Sequence, residues 1–224
     1  MAYLAGFVTE HRRQRIEQVL SQRTRYLTIA LEDIYQPHNA SAVLRSCECF
    51  GVQDVHIVEN KNTYEVNRDV TQGASKWLTL IRYNKKGGDN TRICIEALRS
   101  RGYRIVAATP HQDDCLLDEL PVEDRMAVVF GTEELGLTEY VLEQADEYVK
   151  VPMYGFTKSF NISVSAALVL REFTRRMRAS DAAWELTQEE KLDLRLSWYR
   201  KVVRGSDLLE RKFLLERGEQ SIPR

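Results

Sequence analysis

Three separated segments of this 224-residue chain carry polar side chains whose types and spacing suit a binding or catalytic site. The first segment, residues 39–45, reads NASAVLR. An α-helix turns by about 100° per residue, so Asn39 and Arg45 lie within about 120° of each other around such a helix. Each residue also has an ordinary interpretation, because Asn39 fits a helix N-cap and Arg45 fits a solvent-exposed cation.

The second segment, residues 128–137, is an apolar strand followed by a glycine-flanked loop, VVFGTEELGL. Gly131 and Gly136 permit tight turns and the close approach of a ligand to the backbone. Ligands of open α/β sheets bind beyond the carboxyl ends of the strands, so this loop and its Glu133 are well placed for a site. Taken alone, Glu133 also fits a carboxylate at the start of a helix.

The third segment, residues 151–170, passes from a strand through a polar turn into an apolar helix, VPMYGFTKSFNISVSAALVL. Ser159, Asn161, Ser163 and Ser165 interrupt the start of that helix. One such residue is enough for an N-cap, so four exceed what capping requires. Small hydroxyl side chains also suit close packing against a partner helix.

Apolar runs rich in β-branched residues alternate with segments of helical periodicity. The predicted strands are residues 26–34, 54–59, 77–83, 103–109, 126–131 and 147–152. The predicted helices are residues 10–22, 38–51, 91–102 (capped near Asn90 or Thr91), 137–145, 159–178, 187–201 and 206–217. This alternation predicts an α/β fold, with a parallel sheet and helices on both faces.

The same pattern predicts three parts of the chain. Residues 26–178 hold the α/β domain, residues 1–25 a basic N-terminal helical extension, and residues 179–224 a C-terminal helical extension. The two extensions lack strand-like companions, so we expect them to be short helical additions that flank the sheet domain.

The composition excludes several classes of protein. Hydrophobic residues make up 43% of the chain and charged residues 29%, as in ordinary globular domains. No run approaches the roughly 18 apolar residues of a membrane span, and charge appears too early for a signal peptide, so we expect a cytoplasmic protein with no membrane partner. The four cysteines form no C-x-x-C pair and the four histidines show no ligand spacing, so we expect no metal.

The usual nucleotide-binding motifs are missing from the sequence. No G-x-G-x-x-G follows a strand, and the glycines of residues 131–136 lack the Lys-Ser/Thr of a P-loop. These omissions disfavour a Rossmann dehydrogenase and a P-loop ATPase, so any cofactor must be held by another device.

Charge is segregated along the chain although the formal net charge is -1. Residues 11–25 carry +4 and residues 150–178 carry +5, whereas residues 113–147 carry -11. This pattern suits basic surfaces placed against a nucleic acid, with an acidic surface turned away from it. The alternative is a set of helix faces that complement one another across a subunit contact.

In this order and with this spacing, the three segments resemble the motifs of the SPOUT superfamily of RNA methyltransferases. The match is best with its TrmH (SpoU) family of tRNA and rRNA ribose 2′-O-methyltransferases, and it covers about residues 25–178. The resemblance implies a deep trefoil knot in the C-terminal part of the α/β domain. It also implies a pocket for S-adenosyl-L-methionine made by the knot loops, and a homodimer.

The resemblance further implies roles for individual residues. Those expected to be catalytic are Asn39, Arg45, Glu133, Ser159 and Asn161. Those expected to bind the cofactor are Thr109, Gly131, Val151 and Phe160, with Ala108, Phe130 and Met153 as weaker candidates. Phe160 and Ile162 replace the leucine and valine that are usual in the family, and Phe160 keeps the backbone and apolar contacts of that position.

In families of this kind, the arginine at the position of Arg45 is proposed to act as a general base. We expect a different role for Arg45. Arginine keeps its proton at neutral pH. We therefore expect Arg45 to grip the phosphate beside the target ribose and to stabilise developing oxyanion charge, while Asn39, Ser159 and Asn161 hold the geometry.

Five arginines are expected to bind the RNA backbone, namely Arg12, Arg13, Arg15, Arg175 and Arg176. Only about 25 residues precede the first strand, too few for the RNA-binding domain that rRNA enzymes of the family commonly carry. The chain is therefore more similar to the tRNA enzymes, which methylate the ribose of guanosine 18 in the D-loop. An rRNA substrate is the alternative, as is an RNA-binding scaffold without catalysis. A small-molecule enzyme of the same fold class would bind no RNA.

Overall fold

The computed structural model describes residues 2–110 and 115–216, so His111 and the acidic residues Asp113 and Asp114 lie outside the described residues. The strands of the described chain are β1 Leu27–Glu32, β2 Asp54–Val58, β3 Thr79–Tyr83, β4 Arg104–Ala108, β5 Cys115–Leu116, β6 Met126–Phe130 and β7 Glu147–Lys150. Its helices are α1 Ala2–Ala5, α2 Glu10–Leu20, α3 Pro37–Phe50, α4 Arg68–Thr71, α5 Asn90–Ser100, α6 Glu139–Gln144, α7 Ile162–Ala179, α8 Gln188–Val202 and α9 Ser206–Glu216.

These strands form one sheet in the order β3-β2-β1-β6-β4-β7-β5, and every described pair of strands is parallel. The strands β2, β1, β6 and β4 end at almost the same level. Glu32 of β1 pairs with Val58, Leu31 pairs with Phe130 of β6, and Phe130 also pairs with Ala108 of β4. The carboxyl ends of β1, β2, β4 and β6 therefore lie along one edge. The prediction of an α/β fold with a parallel sheet is confirmed.

Each face of the sheet has its own apolar cluster, because successive side chains of a strand point to opposite faces. In β1, Ile29 and Leu31 belong to the larger cluster, together with apolar residues of α3 and α7. Ala30 belongs to the smaller cluster, together with residues of α5 and with Val141 of α6. Both faces are thus covered by helices, and the strands β1, β2 and β6 are buried along their whole length.

Some predicted boundaries were wrong, and local hydrogen bonds explain the differences. Helix α7 begins at Ile162 and not at residue 159, because the Asn161 side chain caps it by accepting a hydrogen bond from Ser163 N. Helix α5 is capped by Asp89, whose carboxylate accepts from Arg92 N, and not by Asn90 or Thr91. The short elements α1, α4 and β5 were not predicted, since two to four residues are too few to show a periodicity.

The chain divides into two compact units. Residues 24–184 form the unit that contains the sheet. The other unit takes in the described residues up to 23 and from 185 onward, and within it Arg195 of α8 pairs with Glu17 of α2. The Arg23 guanidinium of this unit lies 5.5 Å from the ring centroid of Trp198. None of the helices in the described chain has the length and apolar character needed to cross a membrane.

Candidate active site

The candidate site lies at the carboxyl edge of the sheet, beyond β4, β6 and β7. Ala108 pairs with Phe130 of β6 on one side and with Val149 of β7 on the other. The segments that follow these three strands therefore leave the sheet side by side. Because parallel strands point all their carboxyl ends to one edge, this is where an α/β sheet builds a ligand site.

A cavity of about 290 Å³ opens between these segments and the start of α7. This volume is near the lower end of the range for small-molecule sites. Its lining includes all the residues that the sequence assigned to cofactor binding, which are Thr109, Gly131, Val151 and Phe160, with Ala108, Phe130 and Met153. Glu133 and Ser159 line it as well.

The cavity wall combines apolar surface with both signs of charge. Glu133 and Glu134 contribute carboxylates from the loop after β6, while Lys150 and Lys158 contribute cations from β7 and the turn before α7. Lys158 directly precedes the serine-rich turn, but it was not predicted as a site residue, because a lysine in a loop is usually only a solvent-exposed cation. The wall can therefore hold a ligand that has apolar and zwitterionic parts.

The loop after β6 is closed on itself by Gly131 and Gly136. Thr132 N donates to Gly136 O and Gly136 N donates to Thr132 O, each at 3.0 Å. A Cβ on Gly131 would lie 2.1 Å from Gly136 O, and Gly136 has a φ of +69°. Both positions therefore require glycine, the first for close approach and the second for a left-handed backbone.

Three side chains from distant segments meet beside this loop. The Asn39 amide nitrogen donates to Glu133 Oε1 at 3.0 Å, and the Asn161 amide nitrogen donates to the same oxygen at 2.8 Å. The Asn161 nitrogen also donates to Asn39 Oδ1 at 3.1 Å. The structure thus joins one residue from each of the three sequence segments in a single hydrogen-bonded group.

Asn39 is a buried residue in the first turn of α3 and does not cap that helix. The N-cap position belongs to Gln36, with Pro37 as the first helical residue. The Asn39 amide nitrogen also donates to Gln36 Oε1 at 3.0 Å. Gln36 was missed in the sequence, because nothing in its neighbourhood distinguishes it from a loop residue before a proline.

Arg45 is exposed on α3, and among the described residues it does not line the cavity. It follows Asn39 by six residues, which corresponds to about 9 Å along the helix axis. Within one chain, three of the five residues expected to be catalytic share hydrogen bonds, Ser159 lines the cavity, and Arg45 is left on the surface.

The basic residues of α2 lie in the unit formed by the terminal segments. Arg12 and Arg15 are exposed, and Arg15 donates to the Gln18 side chain at 2.8 Å. Arg13 is half-buried and pairs with Glu10. Two of the three arginines thus present cations to solvent.

The two basic candidates of α7 are both engaged within the sheet unit. Arg175 binds the Glu172 carboxylate with two nitrogens, at 2.6 and 3.2 Å, and this hydrogen bonding lowers the pKa of Glu172. Arg176 is half-buried and donates to Leu117 O at 3.3 Å. Among the described residues, no three His, Cys, Asp or Glu side chains are grouped so that they could hold a metal ion.

The parallel sheet and the cavity beyond its carboxyl edge place the chain among the ligand-binding α/β proteins. A sequence model of the SpoU rRNA Methylase family matches residues 26–171. The chain belongs to that family and is an RNA methyltransferase, which confirms the resemblance seen in the three segments.

Two relatives and one solved structure illustrate the similarity. The chain is 45% identical over 207 residues to the tRNA (guanosine(18)-2'-O)-methyltransferase of Borreliella burgdorferi, covering 92% of this chain and 93% of the relative. It is 35% identical over 168 residues to the enzyme of the same name from Thermus thermophilus, covering 75% and 84%. The crystal structure of the A. aeolicus TrmH/SpoU tRNA modifying enzyme matches with a TM-score of 0.75 at 27% identity, covering 87% of this chain and 98% of that one.

Proposed function

We propose that this protein transfers a methyl group from S-adenosyl-L-methionine to the 2′-oxygen of the guanosine 18 ribose in tRNA. The observation that carries this proposal is the hydrogen-bonded group of Asn39, Glu133 and Asn161, in which all three motif segments meet and from which Glu133 lines the cavity. The choice of RNA and nucleotide rests on the similarity to the guanosine 18 enzymes.

The cavity fits S-adenosyl-L-methionine in its chemistry. The closed loop after β6 presents backbone at Gly131, where a side chain has no room, and Val151 and Phe160 offer apolar contact to a flat base. Lys158 and Glu133 supply the charges that a zwitterionic amino-acid end requires. When bound, the cofactor supplies a methyl group that is already activated on a sulfonium.

The roles of the polar residues follow from their positions. Asn39 and Asn161 hold Glu133 in one orientation, and Ser159 lines the cavity beside Asn161, so these residues hold and orient the substrates. Arg45 is exposed and binds the phosphate beside the target ribose, where its guanidinium also stabilises charge that develops on the 2′-oxygen.

A homodimer is part of the proposal. Phe160, Val164 and Leu168 are exposed apolar residues spaced by four around the start of α7, and Tyr154 and Phe156 in the segment before it are exposed as well. Exposed apolar side chains that recur at this spacing are typical of a subunit interface. We infer that a second copy of the chain covers it and brings Arg45 of one subunit to the cavity of the other.

The trefoil knot is also proposed. Membership of the SpoU family supports it, and residues 151–161 connect β7 to the cap of α7, which packs against α3. We place the knotted catalytic domain at residues 26–178, flanked by the helical extensions at 1–25 and 179–224, and expect a cytoplasmic location because the substrate is tRNA.

The exposed arginines Arg12 and Arg15 support a role of α2 in binding the RNA backbone, with Arg13, Arg175 and Arg176 as further candidates. Such contacts are electrostatic and carry no base information.

The test uses labelled S-adenosyl-L-methionine and two transcripts of one tRNA, which differ only in a 2′-deoxyguanosine at position 18. We expect label in the first transcript and none in the second, since the acceptor oxygen is missing. Label in the deoxy transcript, or label in an rRNA fragment but in neither tRNA, would contradict the proposed substrate.

A further inference from the structure

Glu32 is a buried carboxylate at the carboxyl end of β1, only 2% exposed. It pairs with Val58 of β2, and its neighbour Leu31 pairs with Phe130, the last residue of β6. Glu32 thus lies at the same edge of the sheet as the cavity, next to the strand from which the Glu133 loop leaves. The mechanism proposed above assigns it no role.

Both oxygens of the Glu32 carboxylate accept hydrogen bonds. Oε2 accepts from Thr138 N at 2.9 Å, and Oε1 accepts from Thr138 Oγ1 at 2.8 Å. Oε1 also accepts from Thr91 Oγ1 of α5 at 2.7 Å. A buried carboxylate is tolerated when its lone pairs are satisfied in this way. Two of these three bonds go to one residue, Thr138.

Thr138 is the residue at which the loop after β6 ends and α6 begins. Its hydroxyl caps α6 by accepting from Val141 N. The preceding residues, 131–137, line the cavity and include Glu133. The loop therefore has three fixed points: its exit from β6, the Thr132–Gly136 closure, and the two bonds from Thr138 to Glu32.

We propose that Glu32 is a positioning residue that holds the loop of residues 131–137 in the shape needed to bind the cofactor. This inference rests on the proposed function. Glu32 touches neither cofactor nor substrate; it acts through Thr138, and its effect falls on the affinity for S-adenosyl-L-methionine and much less on the rate at saturation. A residue that only stabilised the fold would affect neither quantity in the folded enzyme.

The main test compares two isosteric changes at the same carboxylate. Thr138→Val removes the bond from the loop to Oε1 and the bond accepted from Val141 N, whereas Thr91→Val removes the bond from α5 to the same Oε1 and the bond accepted from Asn60, and leaves the loop attached. We expect Thr138→Val to raise the KM for S-adenosyl-L-methionine by about tenfold, with kcat changed by less than about threefold. Thr91→Val should keep the wild-type KM, and Thr138→Ser should restore it.

A second variant separates the loop contact from the helix cap. Glu32→Asp shortens the side chain by one methylene, so that it no longer reaches Thr138, but it leaves the hydroxyl of Thr138 free to cap α6. We expect Glu32→Asp to raise the KM as Thr138→Val does. Because Thr138 is exposed, Thr138→Val remains available to contradict the proposal if Glu32→Asp fails to fold. A wild-type KM in Thr138→Val, or an equal rise in Thr91→Val, would overturn the proposal.

The binding of S-adenosylhomocysteine, measured by calorimetry, supplies a readout that does not need activity. We expect its Kd to rise about tenfold in Thr138→Val and to stay unchanged in Thr91→Val. If the wild-type protein binds neither S-adenosylhomocysteine nor S-adenosyl-L-methionine, the proposed function fails. If it binds them and the two threonine variants bind equally well, only the role of Glu32 fails.

Discussion

The side-chain amide of Asn161 donates a hydrogen bond of 2.8 Å to the carboxylate of Glu133. The same nitrogen donates to Asn39 Oδ1, so the cap of α7, the loop after β6 and the first turn of α3 share one set of hydrogen bonds. Asn161 Oδ1 meanwhile accepts from Ser163 N and caps α7. One side chain therefore starts a helix with its oxygen and assembles the candidate site with its nitrogen.

Because the oxygen of Asn161 caps α7 and its nitrogen donates to Glu133 and Asn39, the effect of Asn161→Asp can be predicted. Aspartate keeps the capping oxygen, but it loses both amide donors and places a second carboxylate beside Glu133. We expect methylation to fall by about 100-fold while the thermal midpoint changes little. The double variant Asn161→Asp with Glu133→Gln removes the repulsion and should recover part of the loss. Equal rates in the wild type and Asn161→Asp would show that the hydrogen-bonded group is not needed.

Gly131→Ala should damage the cavity, because the added methyl group would lie 2.1 Å from Gly136 O. The loop must open to admit it, and a displacement of about 1 Å in such a site can cost about 100-fold in rate. The matched control is Gly155→Ala, where a Cβ meets nothing within 4 Å. Binding of S-adenosylhomocysteine should weaken in the first variant only. Unchanged binding in Gly131→Ala would mean that the loop adapts.

Arg45→Lys tests whether Arg45 binds the phosphate through two guanidinium nitrogens or only through its positive charge. If Arg45 binds the phosphate beside the target ribose with two nitrogens, lysine cannot replace it, and we expect kcat to fall by about tenfold or more. Affinity for S-adenosylhomocysteine should not change, because Arg45 does not line the cavity. Near-normal methylation by the lysine variant would show that two guanidinium nitrogens are not required and that a positive charge at this position is enough.

His56 predicts a dependence of stability on pH. Burial, with a smaller contribution from the charge of Arg101, lowers the pKa of His56 to about 4, and its Nδ1 lies 2.9 Å from the Tyr83 hydroxyl. The unfolded chain takes up this proton near pH 6.5 and the folded chain only near pH 4. The stability that the folded state gains from keeping His56 neutral is therefore fully present above pH 6.5. As the pH falls toward 4, the free energy of unfolding decreases by up to about 3 kcal/mol.

The measurement is urea unfolding between pH 7 and pH 4. His56→Asn keeps a polar partner for Tyr83 without a titrating ring, so its free energy of unfolding should fall less steeply over this range than that of the wild type. His11→Gln, a change at an exposed histidine, serves as the control and should follow the wild-type curve. If the free energy of unfolding varied with pH equally in the wild type and in His56→Asn, the pH dependence could not be due to His56.

The exposed arginines of α2 predict a salt-dependent contribution to RNA binding. Replacing Arg12 and Arg15 by glutamine should weaken tRNA binding and reduce the slope of log K against log salt by about one for each lost phosphate contact. Arg92→Gln, on α5, is the control and should leave the slope unchanged. A wild-type slope in the α2 double variant would remove that helix from the RNA-binding surface.

The alternation of apolar strands and amphipathic helices was enough to predict the parallel α/β fold, since periodicity reports which side chains are buried locally. The three polar segments could also be recognised from residue types and spacing alone. The first residues of the helices were predicted less accurately. Asp89 and not Asn90 caps α5, because the cap is decided by which oxygen reaches an amide three residues ahead.

What the sequence determined by itself is therefore the local content of the molecule: its strands, its helices, its glycine-dependent loop and its family. Only the tertiary structure decided that Asn39, Glu133 and Asn161 share hydrogen bonds, and that Glu32 holds Thr138. These contacts join residues far apart in the chain. They depend on the order and register of strands in the sheet, and on short distances between side-chain atoms, which no local periodicity encodes.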